Sequence, residues 1–267
     1  MLHPLMLPRL ISICQSDPHI LAATLNGSHA RDAADEWSDL DIGIVIADDA
    51  YDDFIVDREA FVRQLGEPLF VEDFEIPGLL FFILADGTEG EIVIDRASDF
   101  TVPYGEWRAL VDKNDTLSKA KPRPEPDPAG QVETLRRQVI WFWHDLSHFT
   151  TAMARGQLGW AAGQLEILRR VCVTLARLRQ DFADTDAADD PYFKIDKALP
   201  AGDLVLLAAT YVPLERAAML EAARIITDTF RKAALPLAEA HNIRYPVELE
   251  SLMLERMERL SPNIDGL

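Results

Sequence analysis

The spacing of apolar and polar positions changes character near the middle of this chain. Over the first ~120 residues, short runs of strand length are cut by loops. "HILAATLNGS" carries an apolar run into a glycine turn, and "LDIGIVIADD" is a strand closed by acids. "REAFVRQLG" has helical spacing and stops at Gly66, which suits a helix C-cap. "GLLFFILADG" and "GEIVIDRA" are two β-rich runs joined by "ADGTE", the pattern of a hairpin. The opening "MLHPLMLPRLISIC" is apolar but lacks a basic n-region and is broken by Pro4, Pro8 and Arg9, so it reads as a first helix and not as a signal peptide.

The stretch "KAKPRPEPDPAG" (119–130) places prolines at alternate positions from Pro122 to Pro128. Each removes a backbone donor and restrains its predecessor, so an extended connector is expected there. Beyond it the period becomes helical. "VETLRRQVIWFWHDLSHFTTAMARGQ", "WAAGQLEILRRVCVTLARLRQ", "AGDLVLLAATYV", "PLERAAMLEAARIITDTFRKAALPLAEAH" and "PVELESLMLERMERL" predict a bundle of about five helices. The expected organisation is α+β: a small mixed-sheet domain at 1–120, a Pro-rich linker at 121–130, and an all-α bundle at 131–267.

Composition narrows the function classes. With 48% hydrophobic residues and no apolar run of membrane-spanning length, the pattern is that of a soluble globular protein. The two cysteines, Cys14 and Cys172, each lie in an apolar helical pattern and read as buried free thiols, consistent with a reducing cytoplasm. A formal charge of -19 repels polyphosphate backbones and concentrates cations, which argues against long nucleic acid as a partner. Oligomeric state stays open, with a monomer favoured.

One constellation carries chemistry. Gly27-Ser28 closes a turn where a residue without a side chain lets backbone N–H groups approach a phosphate and the serine hydroxyl adds a donor. Asp39 and Asp41 stand at i and i+2 of a strand, so both carboxylates project from one face. Glu91 opens another strand that a hairpin could bring to the same edge, and Asp95, on the same face of that strand, is its rival. Hard oxygen ligands around a triphosphate suit Mg²⁺. Separately, each piece has an ordinary structural explanation as a turn residue or a loop cap; Gly-Ser, ten residues, then Asp-x-Asp entering an apolar strand is far more specific.

That combination resembles the nucleotidyltransferase superfamily that includes DNA polymerase β. "TLNGS", "SDLDI", "LVDKND", "FW" at Phe142-Trp143, "ARGQLGWAAGQLEILRR" and "RKAALPLAEAHNIRYP" resemble, in order and spacing, the aminoglycoside 6-adenylyltransferases that modify streptomycin. The resemblance implies a polymerase β-like domain followed by a helical substrate-binding bundle, with ATP and acceptor meeting between them. It also implies transfer of AMP to a hydroxyl of a cationic small molecule. Asp39, Asp41 and Glu91 would hold Mg²⁺, with Glu91 as general base, since "GEIVI" occupies the place of the family's acid-led strand. Gly27 and Ser28 would bind ATP. His29 stands where the family commonly has Arg, which shifts part of the phosphate grip to Arg31 or to Lys194 and Lys197 in "YFKIDKAL". Glu166 and Trp143 are the candidate acceptor contacts; the plainer alternative for Glu166 is a pair with Arg169 or Arg170 on its own helix. Rival readings of the whole chain are a catalytically silent nucleotide-binding module and an adenylyltransferase acting on a protein.

"HDLSH" (144–148) imitates the H-E-x-x-H zinc motif, but Asp145 replaces the glutamate and no third ligand follows at a suitable spacing, so the zinc-protease reading is set aside. The aromatics Trp141, Phe142, Trp143 and Trp160 lack basic interleaving and read as packing. Asp181 to Asp190 reads as a solvated acidic loop.

Overall fold

A computed structural model describes residues 5–76, 78–103, 105–123 and 127–260. The chain divides into two compact units, 1–124 and 125–267.

In the first unit, α1 (Met6–Ser16), β1 (Ile20–Asn26), a single helical turn α2 (Gly27–Ala30), β2 (Leu40–Ile46), α3 (Tyr51–Val56) and α4 (Arg58–Leu65) precede β3 (Pro68–Glu72), β4 (Leu79–Leu84), β5 (Glu89–Arg96) and β6 (Trp107–Asp112). The six strands form one sheet in the order β3-β4-β5-β2-β1-β6. Every neighbouring pair is antiparallel except β2 with β5. Alternation over the first five residues of β2 gives the sheet two unlike faces there, while Val45 farther along is buried in a second small core with Ala22 and Phe100. Leu40, Ile42, Ile44 and Ile46 are at most 1% exposed and share a core with Met6, Leu10 and Cys14 of α1 and Phe61, Val62 and Leu65 of α4. Asp41, Gly43 and Val45 therefore point the other way. Arg9 ties the two helices by donating to Leu65 O at 2.6 Å, and Lys113 Nζ caps the C-terminal end of α1 through Cys14 O and Asp17 O.

Helix α4 ends at Gly66, but not by a left-handed cap: Gly66 is extended at φ 177°. A Cβ there would lie 2.9 Å from Leu84 Cδ1, so a larger residue would have to displace the end of that side chain.

The second unit contains α5 (Pro128–Ala154), α6 (Leu158–Gln180), two single turns α7 (Asp186–Asp189) and α8 (Ile195–Ala198), α9 (Ala201–Ala208), α10 (Arg216–Ala240) and α11 (Val247–Leu260). Helices α5, α6, α10 and α11 share one core that includes Phe142, Trp143, Leu168 and Phe230. The proline stretch ends earlier than its composition suggests. Asp127 accepts from the N–H groups of Ala129 and Gly130 at 3.0 Å each, and Pro128 takes the first helical position, where a missing N–H costs nothing. Residues 128–130 are thus helix, while Pro124 and Pro126 lie outside the described residues.

The acidic segment after α6 is also more than a solvated loop. Arg177, 5% exposed at its side chain, pairs with Asp184 at 2.7 Å and Asp186 at 3.1 Å, and donates to Phe193 O at 2.7 Å. A buried guanidinium thus gathers the segment around itself. Both cysteines are free and buried, and among the described residues no helix is long and apolar enough to cross a membrane.

Candidate active site

The parallel pairing of β2 and β5 sets Asp41 directly opposite Glu91. Neighbouring strands lie about 4.8 Å apart, so the two carboxylates stand side by side on the sheet face that points away from the core. Asp39 precedes them by two residues and is exposed. The loop before it is held by Asp35, whose carboxylate accepts the Trp37 N–H at 2.9 Å and the Ser38 hydroxyl at 3.0 Å. Asp95 is paired with Val45, four residues farther along β5 and away from Asp41, so geometry joins Glu91 to the aspartates and separates its rival from them.

Strand β1 delivers the turn. It pairs antiparallel with β2, Leu25 opposite Ile42, and ends at Gly27 with φ +64°. A Cβ at Gly27 would lie 1.9 Å from Asp41 Oδ2, so only glycine fits against that carboxylate. Around the same turn, Asn26 Oδ1, Ser28 Oγ and His29 Nε2 are buried atoms with no hydrogen-bond partner. Native folds rarely leave such groups unsatisfied, and a cluster of them points to a polar ligand.

Electrostatics agree. Burial and then the negative charges of Asp41 and Asp39 push the Glu91 carboxyl above its usual range, and every neighbouring charge that acts on it is negative. The residues fit a bound metal: an all-oxygen donor set with excess negative charge is what Mg²⁺ takes, and the unsatisfied turn groups fit phosphate oxygens.

The other residues singled out in the sequence fall in different surroundings. Arg31 is exposed, one residue past α2, and it is His29 that lies in the turn with Ser28. Asn26 is the member that sequence reasoning passes over, and His29 enters it only as a departure from the family's Arg; adjacency to Gly27-Ser28 is the signal of both. Lys194 and Lys197 are exposed in the helical unit, Lys194 in a left-handed conformation at φ 50° just before α8, its Nζ 4.2 Å from the Phe193 ring centroid. Trp143 is wholly buried in the bundle core, edge-on to Phe142 and Phe230, and lines no surface where a sugar could rest. Glu166 is half-exposed, but both its oxygens are engaged, one by Arg169 and the other by the Tyr192 hydroxyl at 2.8 Å. The plainer of the two sequence readings of Glu166 is therefore the one the structure contains.

The mixed sheet sets Asp41 and Glu91 side by side next to the Gly27-Ser28 turn, with Asp39 just before β2. Residues 3–77 match the family model described as streptomycin adenylyltransferase. No curated protein matches the chain. Among solved structures, the chain is similar to an aminoglycoside 6-adenyltransferase from Bacillus subtilis, at 14% identity over 96% of this chain and 97% of that one, with a TM-score of 0.40.

Proposed function

We propose that this enzyme transfers AMP from ATP to a hydroxyl of a cationic, aminoglycoside-like small molecule, with release of pyrophosphate. The observation that carries the reading is the juxtaposition of Asp41 and Glu91 across β2 and β5 beside the Gly27 turn. Asp39, Asp41 and Glu91 would hold Mg²⁺, which when bound would neutralise phosphate charge and favour in-line displacement at the α-phosphate. Ser28, His29 and Asn26 orient the nucleotide through groups that otherwise lack partners. Glu91 accepts the proton of the acceptor hydroxyl. The -19 charge raises the local concentration of a polycationic acceptor, an effect that salt screens.

The test is pyrophosphate release and label transfer from α-³²P-ATP across a panel of aminoglycosides, with and without Mg²⁺. Labelled product with a cationic aminoglycoside, less of it at high salt, is the expected outcome. Transfer to neutral or anionic hydroxyl compounds alone would refute the acceptor class while leaving nucleotidyl transfer standing. ATP affinity in Lys194→Ala and Lys197→Ala tests whether those lysines hold the triphosphate.

A further inference from the structure

The histidine pair set aside in the sequence has a third partner in the fold. On α5, His144 and His148 stand one turn apart with their ring centroids 4.4 Å from each other, and the Asp145 carboxylate reaches His144 Nδ1 at 3.1 Å. Ligand atoms of all three side chains lie within 4.8 Å of one another. Trp141 packs edge-on against His144 at 4.8 Å and Trp160 of α6 lies 6.0 Å from His148, so indole rings flank the group on two sides. His144 is 48% exposed at its side chain, which leaves an entry path from water, while Asp145 is 16% exposed and held in place.

We propose that His144, His148 and Asp145 form a binding site for a divalent transition metal such as Zn²⁺, separate from the carboxylates of β2 and β5. Two imidazoles at i and i+4 on one helical face are a recurrent zinc clamp, and a carboxylate completes a three-residue donor set. Zinc bonds of about 2.0–2.1 Å place donor atoms roughly 3.4 Å apart in a tetrahedron, so the present spread within 4.8 Å must narrow on binding. Water fills the position open to solvent. Two imidazoles exclude Mg²⁺, which demands oxygen donors, so the two metal sites differ in the ion they select. The absence of a glutamate at 145 removes the general base of a zinc protease, and the role that remains is to clamp successive turns of α5 beside Trp160 of α6.

Calorimetric titration of the full chain with Zn²⁺, in excess Mg²⁺, tests this. The comparison is with the His144→Gln/His148→Gln double variant, whose fold is checked by circular dichroism. Wild type should bind one more Zn²⁺ than the double variant, and excess Mg²⁺ should not displace that ion. Asp145→Asn should weaken it about 10–100-fold. In parallel, Zn²⁺ should raise the melting temperature of wild type but not of the double variant, and Cu²⁺ should quench Trp141 and Trp160 emission only where the histidines are intact. Identical isotherms for wild type and the folded double variant would overturn the site; undiminished affinity in Asp145→Asn would overturn the three-ligand assignment.

Discussion

Replacing Gly27 by alanine separates the cost of the turn from the cost to the chemistry. Two effects act at this position. The backbone sits at φ +64°, where an L side chain meets its own carbonyl, and that strain is worth about 1–2 kcal/mol. The new Cβ would also meet Asp41 Oδ2 at 1.9 Å, and ordinary contact begins at 3.4 Å, so the carboxylate must retreat by about 1.5 Å. A misplacement of about 1 Å in a reacting assembly can cost roughly a hundredfold in rate, or about 2.7 kcal/mol of transition-state stabilisation. The informative control is Gly87→Ala in the β4–β5 turn, where φ is +81° but nothing lies within 4 Å of the added methyl group. Both variants should lose about 1–2 kcal/mol in urea unfolding. Only Gly27→Ala should lose turnover, by two orders of magnitude or more, in an assay of ATP-dependent pyrophosphate release. If the two variants turn over equally, Asp41 is not the group that the turn must clear, and the placement of the site falls.

Asp41→Asn should fold normally and lose transfer, because an amide leaves phosphate and metal charge uncompensated; near-normal turnover with Mg²⁺ would end the metal assignment. For Glu91 the folded state holds the proton more tightly than the unfolded chain does, so stability falls as pH rises from the ordinary glutamate range through the raised folded value. Glu91→Gln should accordingly be more stable than wild type at neutral pH and equal to it below about pH 4, as read from thermal melts, while binding Mg-ATP but not turning over. Equal stability at both pH values would show that the carboxylates do not strain the fold. Arg177→Met leaves Asp184 and Asp186 without their buried partner and should destabilise the helical unit by about 3–5 kcal/mol in chemical denaturation; a loss under about 1 kcal/mol would mean that the acidic segment is held by other contacts.

Hydrophobic periodicity revealed the elements that have one clear inside and one clear outside. Strand β2 alternates Leu40, Ile42, Ile44 and Ile46 against Asp41 and Gly43, and the β4–β5 hairpin is announced by its glycine turn. Strands β3 and β6 escaped because they lie at the two edges of the sheet, with residues such as Leu69 and Phe70 exposed and no clean alternation to read. Within the site, Gly27, Ser28, Asp39 and Asp41 are legible because their spacing is local. Choosing between Glu91 and Asp95 needs the register of a strand pair separated by fifty positions, which composition does not encode. The orphaned groups of Asn26 and His29 become visible only when burial is known, as does the fate of Trp143, whose bundle core looks from the sequence like any other aromatic pair.

The lone parallel seam between β2 and β5 has a consequence for how this protein folds. The neighbouring ladders, β4 with β5 and β3 with β4, join segments close in the chain, and such contacts close small loops at little entropic cost. The seam instead joins residues half a hundred positions apart, and it brings like charges together as it zips. Its register cannot slip by one residue without turning the isoleucines of β2 to water and the aspartates into the core. Long-range pairing of this kind slows folding, and here the repulsion between carboxylates slows the same step. Cations able to screen that repulsion should therefore speed refolding of the wild-type chain, and should do so less once Glu91 carries no charge.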